Sequence, residues 1–484
     1  MKKIFLSLFL IFISTFSNAQ NSIFVATNGD DNTGNGSFSQ PFKTIDEASK
    51  NVNPSDTIFV KSGIYYNENF GNGDAWKTEN TVRINNLNGS AGQYITIKPY
   101  NNGSVIFKGD AANIFRMSNA SYVRIEGLEI YGEVENISLD TALAYQFLYK
   151  DQNGNLQYRV PPGTSDSVIA TMTLPILNNI QRGSYTSTRG LYINNVHHID
   201  LINNHVHHAP GTGFRVAEAD YINAIGNKVH DCSRKSYAGT HGFVFSNCVS
   251  MDNNNDVKIV IARNEVFDNY NEIYSWAPSK TFITPVIDEG KGISMQRNSA
   301  AYGWNNGRFL IENNITYNNG FSGIHLNGCE RFDIRNNTVF NNNYTTNING
   351  HGSNHGISTQ TSDDVLMINN IAISATNLPQ GNCMNISNNC TNITIRKNLT
   401  STNVSGDVAA IATNMLTCSP DFTNAMNNDF SLQNTSCAIN AASVNNAPTT
   451  DFFGNQRDNS PDLGAIEFGV MTNSFNRQIA NFNI

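Results

Sequence analysis

The feature that most constrains this chain is a repeat through its middle and C-terminal parts. A pair ending in Asn, followed by a short apolar strand, recurs at Asn203-Asn204-His205-Val206, Gly226-Asn227-Lys228-Val229 and Arg263-Asn264-Glu265-Val266. It returns at Asn313-Asn314-Ile315-Thr316, Asn336-Asn337-Thr338-Val339 and Asn369-Asn370-Ile371-Ala372. A second slot alternates with it: Gly213-Phe214, Gly242-Phe243, Gly292-Ile293, Gly323-Ile324 and Gly356-Ile357. From each glycine to the next Asn the chain runs 14, 22, 22, 14 and 14 residues, and from each Asn to the following glycine 9, 15, 28, 9 and 19. The shortest full periods, 204 to 227 and 314 to 337, are both 23 residues. Short strands and turn residues at this period stack as coils of a parallel β-helix, since one coil cannot bury its apolar side alone. A leucine-rich repeat has a similar period but needs a Leu lattice and helical segments that are absent here. The insertions fall mostly between Asn slot and glycine, so they should project from one edge of the solenoid.

Asn at a repeated turn follows from backbone chemistry. It tolerates the left-handed conformation of a tight corner, and stacked amides can hydrogen-bond from coil to coil. The Asn slots therefore read as corners rather than ligands, and the apolar residue after each glycine as core. Pro41 opens a short amphipathic pattern with Ile45, Ala48 and Val52, predicting a helix over Pro41–Val52 that caps the open N-terminal end. Residues 133–188, with Pro161-Pro162-Gly163, read as a long insertion between coils. The motifs Asp451-Phe452-Phe453-Gly454 and Asp462-Leu463-Gly464-Ala465-Ile466-Glu467 are expected to finish the solenoid, before a polar tail over 469–484.

Lys2 and Lys3, the apolar run Ile4 to Phe16 and Ser17-Asn18-Ala19 have the form of a signal peptide over residues 1–19, which predicts a secreted protein. No later segment offers the ~20 apolar residues of a membrane span. Hydrophobic residues make up only 39% of the chain, but 10% are aromatic, enough for a large core and against disorder. A formal charge of −8 and the lack of any Lys/Arg run argue against a nucleic-acid partner. A monomer is expected. Of the seven cysteines, Cys383 with Cys390 and Cys418 with Cys437 are candidate local pairs, while Cys232, Cys248 and Cys329 read as buried thiols.

The start of the chain (Phe24-Val25-Ala26-Thr27-Asn28-Gly29-Asp30, Gln40-Pro41-Phe42-Lys43-Thr44-Ile45, Asp56-Thr57-Ile58-Phe59-Val60), its Asn-rich coils and its Asp-Leu-Gly-Ala-Ile-Glu ending carry a family resemblance. Together they resemble secreted right-handed parallel β-helix proteins of the pectate lyase superfamily, in look nearest to polysaccharide lyase family 9. The resemblance implies an all-β, single-stranded right-handed parallel β-helix over residues 20–468 and a polysaccharide as partner. It also implies a catalytic lysine on the strand after an Asp-Gly step. Here Gln296 stands roughly at that place in Gly292-Ile293-Ser294-Met295-Gln296, and Lys291 precedes the glycine instead.

Aligning the glycine slots places side chains in rows about 4.8 Å apart. The row before the glycine reads Thr212, His241, Lys291, Ser322, His355; the first outward row Arg215, Val244, Ser294, His325, Ser358; the second Ala217, Ser246, Gln296, Asn327, Gln360. Arg215, His241, Lys291 and His325 thus share one face. Lys291, His241 and His325 are the candidate catalytic groups, with Arg215 and Gln296 as substrate contacts. Asp288-Glu289-Gly290-Lys291-Gly292 puts two carboxylates beside the lysine, so Asp288 and Glu289 are the candidate ligands of a hard cation such as Ca2+. Arg234, Lys235 and Tyr237 form a short loop suited to an acidic sugar. His197-His198 and His205-Val206-His207-His208 suggest a metal site, but alternating outward residues on stacked strands produce such clusters without a ligand role, and that reading is preferred.

Three functions compete. A lyase needs a base for the C5 proton of a uronic acid and positive charge to stabilise the enolate-like intermediate. A hydrolase needs two carboxyl groups about 5–9.5 Å apart, for which Asp288, Glu289, Asp231 and Glu272 are available. A glycan-binding solenoid would need only aromatic platforms such as Tyr237, Tyr274 and Trp276. The expectation is a secreted lyase acting on an acidic, uronate-containing glycan by β-elimination.

Overall fold

The computed structural model describes residues 20–169, 171–172, 180–273, 287, 289–342, 355–373, 382–387, 389–402, 404–406 and 411–469. The leader over 1–19, and all of the predicted tail but Gly469, lie outside these residues.

The repeat builds three stacks of parallel strands, and each coil contributes one strand to each stack. The first stack runs through Asn80–Asn85, the leading halves of Asn113–Glu126, Arg189–Ile202 and Phe214–Ile225, then Phe243–Ser246, Ile293–Gln296, Ser322–Asn327 and His355–Gln360. The second takes the trailing halves of those long strands, then Val257–Ala262, Arg308–Glu312, Glu330–Arg335 and Asp363–Ile368. The long strands bend at left-handed residues such as Asn195 and His198, or Glu218 and Tyr221, and so merge both stacks into one 18-stranded sheet. The third stack is a separate 10-stranded sheet from Gly63–Tyr66 to Leu399–Thr400. This is a parallel β-helix. Phe214, Phe243, Ile293, Ile324 and Ile357, the residues after the glycines, are all fully buried in its core.

The Asn slots divide their work between two adjacent residues. The first of each pair takes the left-handed backbone: Asn203, Gly226, Arg263, Asn313, Asn336 and Asn369 all have positive φ. The second is a rung in a buried amide ladder. Asn204, Asn227, Asn264, Asn314, Asn337 and Asn370 each pass a side-chain hydrogen bond to the next, ending at Asn398, at 2.9–3.1 Å. A shorter ladder, Asn269, Asn319 and Asn342, marks the corner between third and first stacks. It also explains the glycine slot. A Cβ on Gly242 or Gly323 would lie 2.6 Å from the ladder amide of Asn269 or Asn342.

The N-terminal helix is shorter than the sequence pattern predicts. It spans Ile45–Ala48 and continues as a single 3-10 turn, Ser49–Asn51, while Pro41 and Phe42 stay outside it. Thr44 accepts the Glu47 N–H as N-cap, and Ile45 and Ala48 join the main core. Between Glu129–Tyr131 and Arg189–Ile202 the chain forms the helix Leu139–Gln146 and a small antiparallel sheet, in which Leu148–Lys150 pairs with Leu156–Tyr158 and Gln181–Arg182. The C-terminal motifs, expected to finish the solenoid, lie along its flank. Arg457 donates to Asn313 at 2.9 Å and Asn336 to the Asp462 carbonyl at 3.0 Å, so the left-handed corner residues hold this segment. Cys418 and Cys437 are bonded. Cys383 and Cys390 are not; both carry thiols, as do the buried Cys232, Cys248 and Cys329. No helix among the described residues is long and apolar enough to cross a membrane.

Candidate functional site

The predicted rows are the observed registers. Arg215 pairs with Val244, Val244 with Ser294, Ser294 with His325 and His325 with Ser358; Ser246, Gln296, Asn327 and Gln360 follow as the second row. Every core residue between them is buried, so both rows face outward from the first stack. The loops joining third and first stacks rise beside this face and enclose a cavity of about 330 Å³. Arg215, His241, Glu289, Lys291, Gln296 and His325 all line it.

Its floor is a basic cluster around one carboxylate. Glu289 Oε2 lies 3.0 Å from Lys291 Nζ and 3.3 Å from His241 Nε2. The carboxylate packs against Gly239, where a Cβ would stand 2.7 Å from Oε1. His241 accepts the Lys291 backbone N–H at Nδ1 (3.4 Å), which leaves its proton on Nε2 facing Glu289. Burial, with the Lys291 and Arg215 charges nearby, pushes the His241 pKa well below its ordinary value, so the ring is neutral. Lys291 also sits over the Phe321 ring, 4.6 Å from its centre. His325, also in the lining, meets Ser358 Oγ through Nδ1 at 2.7 Å, which orients the ring. Gln296 donates to Ser294 at 2.7 Å.

Of the cation site expected at Asp288 and Glu289, only Glu289 belongs to the described residues; Asp288 lies outside them. Glu289 is already faced by an ammonium and an imidazole. Calcium takes six to eight oxygen ligands, whereas Glu289 is the only carboxylate among the described residues lining the cavity. The loop Arg234-Lys235-Tyr237 is also corrected. Arg234 pairs with Glu272 (2.8 Å) and Glu135 (2.5 Å), and Lys235 pairs with Glu272. Tyr237 is buried, donates to the Gly183 carbonyl and stacks under the Arg182 guanidinium. These three side chains brace the insertions against each other and do not line the cavity. Asp231 and Glu272 are likewise committed elsewhere, to His230 and to the Arg234–Lys235 pair. The platforms Tyr274 and Trp276 lie outside the described residues.

Sequence reasoning missed one part of the face. The first outward row continues toward the N-terminus as Tyr192 and Arg116, with Arg189 just before them. Arg116, Arg189 and Arg215 surround the Tyr192 ring with their guanidinium carbons 5.9, 5.3 and 5.6 Å from its centre. Among the described residues none of the three pairs with a carboxylate. Arg189 reaches only Asn113 and Arg215 only Ser246, and the buried Nε of Arg215 has no hydrogen-bond partner. Desolvation and the two neighbouring arginines lower the Arg189 pKa. The signal was present: Gly190-Leu191 repeats the glycine slot 23 residues before Gly213.

No protein-family model matches the chain, and no curated protein is similar to it. Among solved structures the chain is similar to pectate lyase Pel9A, with a TM-score of 0.49 and 19% identity over 93% of this chain and 97% of that one. It is also similar to a glycoside hydrolase (TM-score 0.46, 9% identity, 86% and 99% covered). A rhamnogalacturonan lyase gives a TM-score of 0.39 and 14% identity, with 93% and 96% covered.

Proposed function

We propose that this protein is a polysaccharide lyase that cleaves an acidic, uronate-containing glycan on the outer face of the first stack. The observation that carries this reading is the trio Arg116, Arg189 and Arg215. Three guanidinium groups gathered round one ring, without a carboxylate partner among the described residues, repel one another and gain from an anion. They lie on successive coils that lead straight into the cavity, so a chain of carboxylates laid across the coils would satisfy them in turn. Guanidinium forks bind carboxylates bidentately.

Elimination needs charge stabilisation beside the scissile uronate and a proton acceptor. Arg215 and Lys291 supply the first: both are basic side chains that line the cavity beside the place where negative charge develops. His325, on the cavity wall and oriented by Ser358, takes the C5 proton. His241 is a positioning residue that holds Glu289 and, through it, Lys291. No step is assigned to calcium. A hydrolase would require a second carboxyl group, and the described lining holds one. Export by the leader at 1–19 would bring the enzyme to such a polymer.

The test is a screen of the purified protein against pectate, alginate, glycosaminoglycans and neutral polymers, with and without chelator. The expected result is an unsaturated, ultraviolet-absorbing product from a uronate polymer, retained in chelator. Reducing ends without that absorbance would replace the lyase by a hydrolase.

A further inference from the structure

A second cluster lies on the outer face of the 10-stranded sheet, and none of its residues lines the cavity. His205 and His207 alternate with the core residue Val206, so both point outward. His207 pairs in register with His230 on the next coil, and His205 with Glu129 on the preceding one. One ring nitrogen from each of His205, His207 and His230 lies within 4.8 Å of the other two. His205 Nε2 and His230 Nε2 are 2.7 Å apart, and Glu129 Oε1 is 3.2 Å from His207 Nε2.

We propose that His205, His207 and His230 form a transition-metal site, of the zinc class, that clamps two successive coils, with Glu129 beside His207 on the preceding one. Metal–nitrogen bonds of about 2.0–2.1 Å in a tetrahedron place ligand atoms about 3.3 Å apart, so small ring movements bring the three nitrogens onto one ion and leave the fourth position to water. The far sides of two rings are already held. His230 Nδ1 faces Asp231 Oδ2 at 2.7 Å, and His207 Nδ1 faces His208 Nδ1 at 2.7 Å. Such contacts fix ring orientation and tautomer, leaving the opposite nitrogen for the metal. Three imidazole ligands suit Zn2+ or Co2+ and not Ca2+. His207 and His230 also stack in an outward ring ladder with Tyr131, Phe267 and Tyr317. His205 also stacks on His207, 4.2 Å between ring centres, so stacking accounts for the three rings but not for the carboxylates at Glu129 and Asp231.

The experiment is a titration of chelator-stripped protein with Co2+, read by visible ligand-field absorption, with Zn2+ competition and the Tm followed in parallel. One equivalent of Co2+ should give the intense band of a four-coordinate site, Zn2+ should displace it, and Zn2+ should raise the Tm. His205→Gln should weaken binding at least tenfold. His230→Phe keeps a ring in the stack, so it should fold normally yet lose both the band and the Zn2+ effect on Tm. His198→Asn, outside the cluster, should change neither. Absence of saturable binding to folded wild-type protein, or unchanged binding in His230→Phe, would overturn the proposal.

Discussion

The amide ladder makes a quantitative prediction at Asn314. Its Nδ2 donates to Asn337 Oδ1 at 2.9 Å and to the Ile261 carbonyl at 2.8 Å. Its Oδ1 accepts from the backbone and side-chain amides of Asn264, both at 2.9 Å. Asn314→Ala removes all four bonds in a fully buried place. At about 1 kcal/mol net for each bond, the loss is about 4 kcal/mol. The backbone N–H of Asn264 then has no acceptor and cannot reach water, which holds the loss at that level and not below it. Asn203 provides the comparison: it has the left-handed backbone (φ 53°) but is not a rung, so Asn203→Gly should cost less than about 1 kcal/mol. Guanidinium unfolding followed by circular dichroism measures both variants. A cost below about 1 kcal/mol for Asn314→Ala, or equal costs for the two, would refute the division between corner and rung.

Lys291→Met keeps most of the side-chain volume and removes the charge; it should abolish turnover and, by breaking the bond to Glu289, lower stability by about 2 kcal/mol in thermal unfolding. His241 is neutral when folded but titrates near its ordinary value of 6.5 when unfolded, so the unfolded state binds the extra proton below that pH and stability falls as the solution is acidified. The drop in Tm between pH 7.5 and pH 5 (about the window below that value) should therefore be smaller in His241→Gln than in wild type, and an equal drop would count against a buried neutral ring. Replacing both Cys418 and Cys437 by Ser opens a loop of 19 residues, for which loop-closure entropy predicts about 3 kcal/mol, read as an earlier, local loss of structure at the C-terminal end in hydrogen exchange.

What the sequence made legible is what the solenoid repeats. A strand stacked on its neighbour fixes the face of every second residue, so aligning Gly213, Gly242, Gly292, Gly323 and Gly356 was enough to place Arg215, Gln296 and His325 on one wall. The corners were legible as corners, but their two functions were not separable, because Asn serves as both left-handed residue and amide rung. The insertions follow no such lattice. Arg234 finds Glu135 across 99 residues of sequence, and no spacing reveals that the pair neutralises itself. The contact of Glu289 with His241 is hidden for the same reason: the histidine comes from another loop, 48 positions away in the sequence. The N-terminal helix fell short because Phe42 pairs with Phe24 through the backbone, taking the start of the amphipathic pattern into strand-like structure.

The charge distribution follows from the same geometry. The chain carries 31 basic and 39 acidic residues, so its distant field repels a polyanion. At physiological salt the screening length is about 8 Å, and beyond it the total charge matters little. Within that range the first stack presents Arg116, Arg189 and Arg215, then Lys291, with Glu289 alone among the described lining residues to offset them. Acidic groups elsewhere are used against local cations, as in the buried Lys77–Asp110 and Arg457–Glu467 pairs. A polyanion would therefore be held only where it lies along the coils and meets the guanidinium groups in register. Its affinity should fall with added salt less steeply than for a uniformly basic surface, because the Arg215 guanidinium is partly desolvated before the ligand arrives.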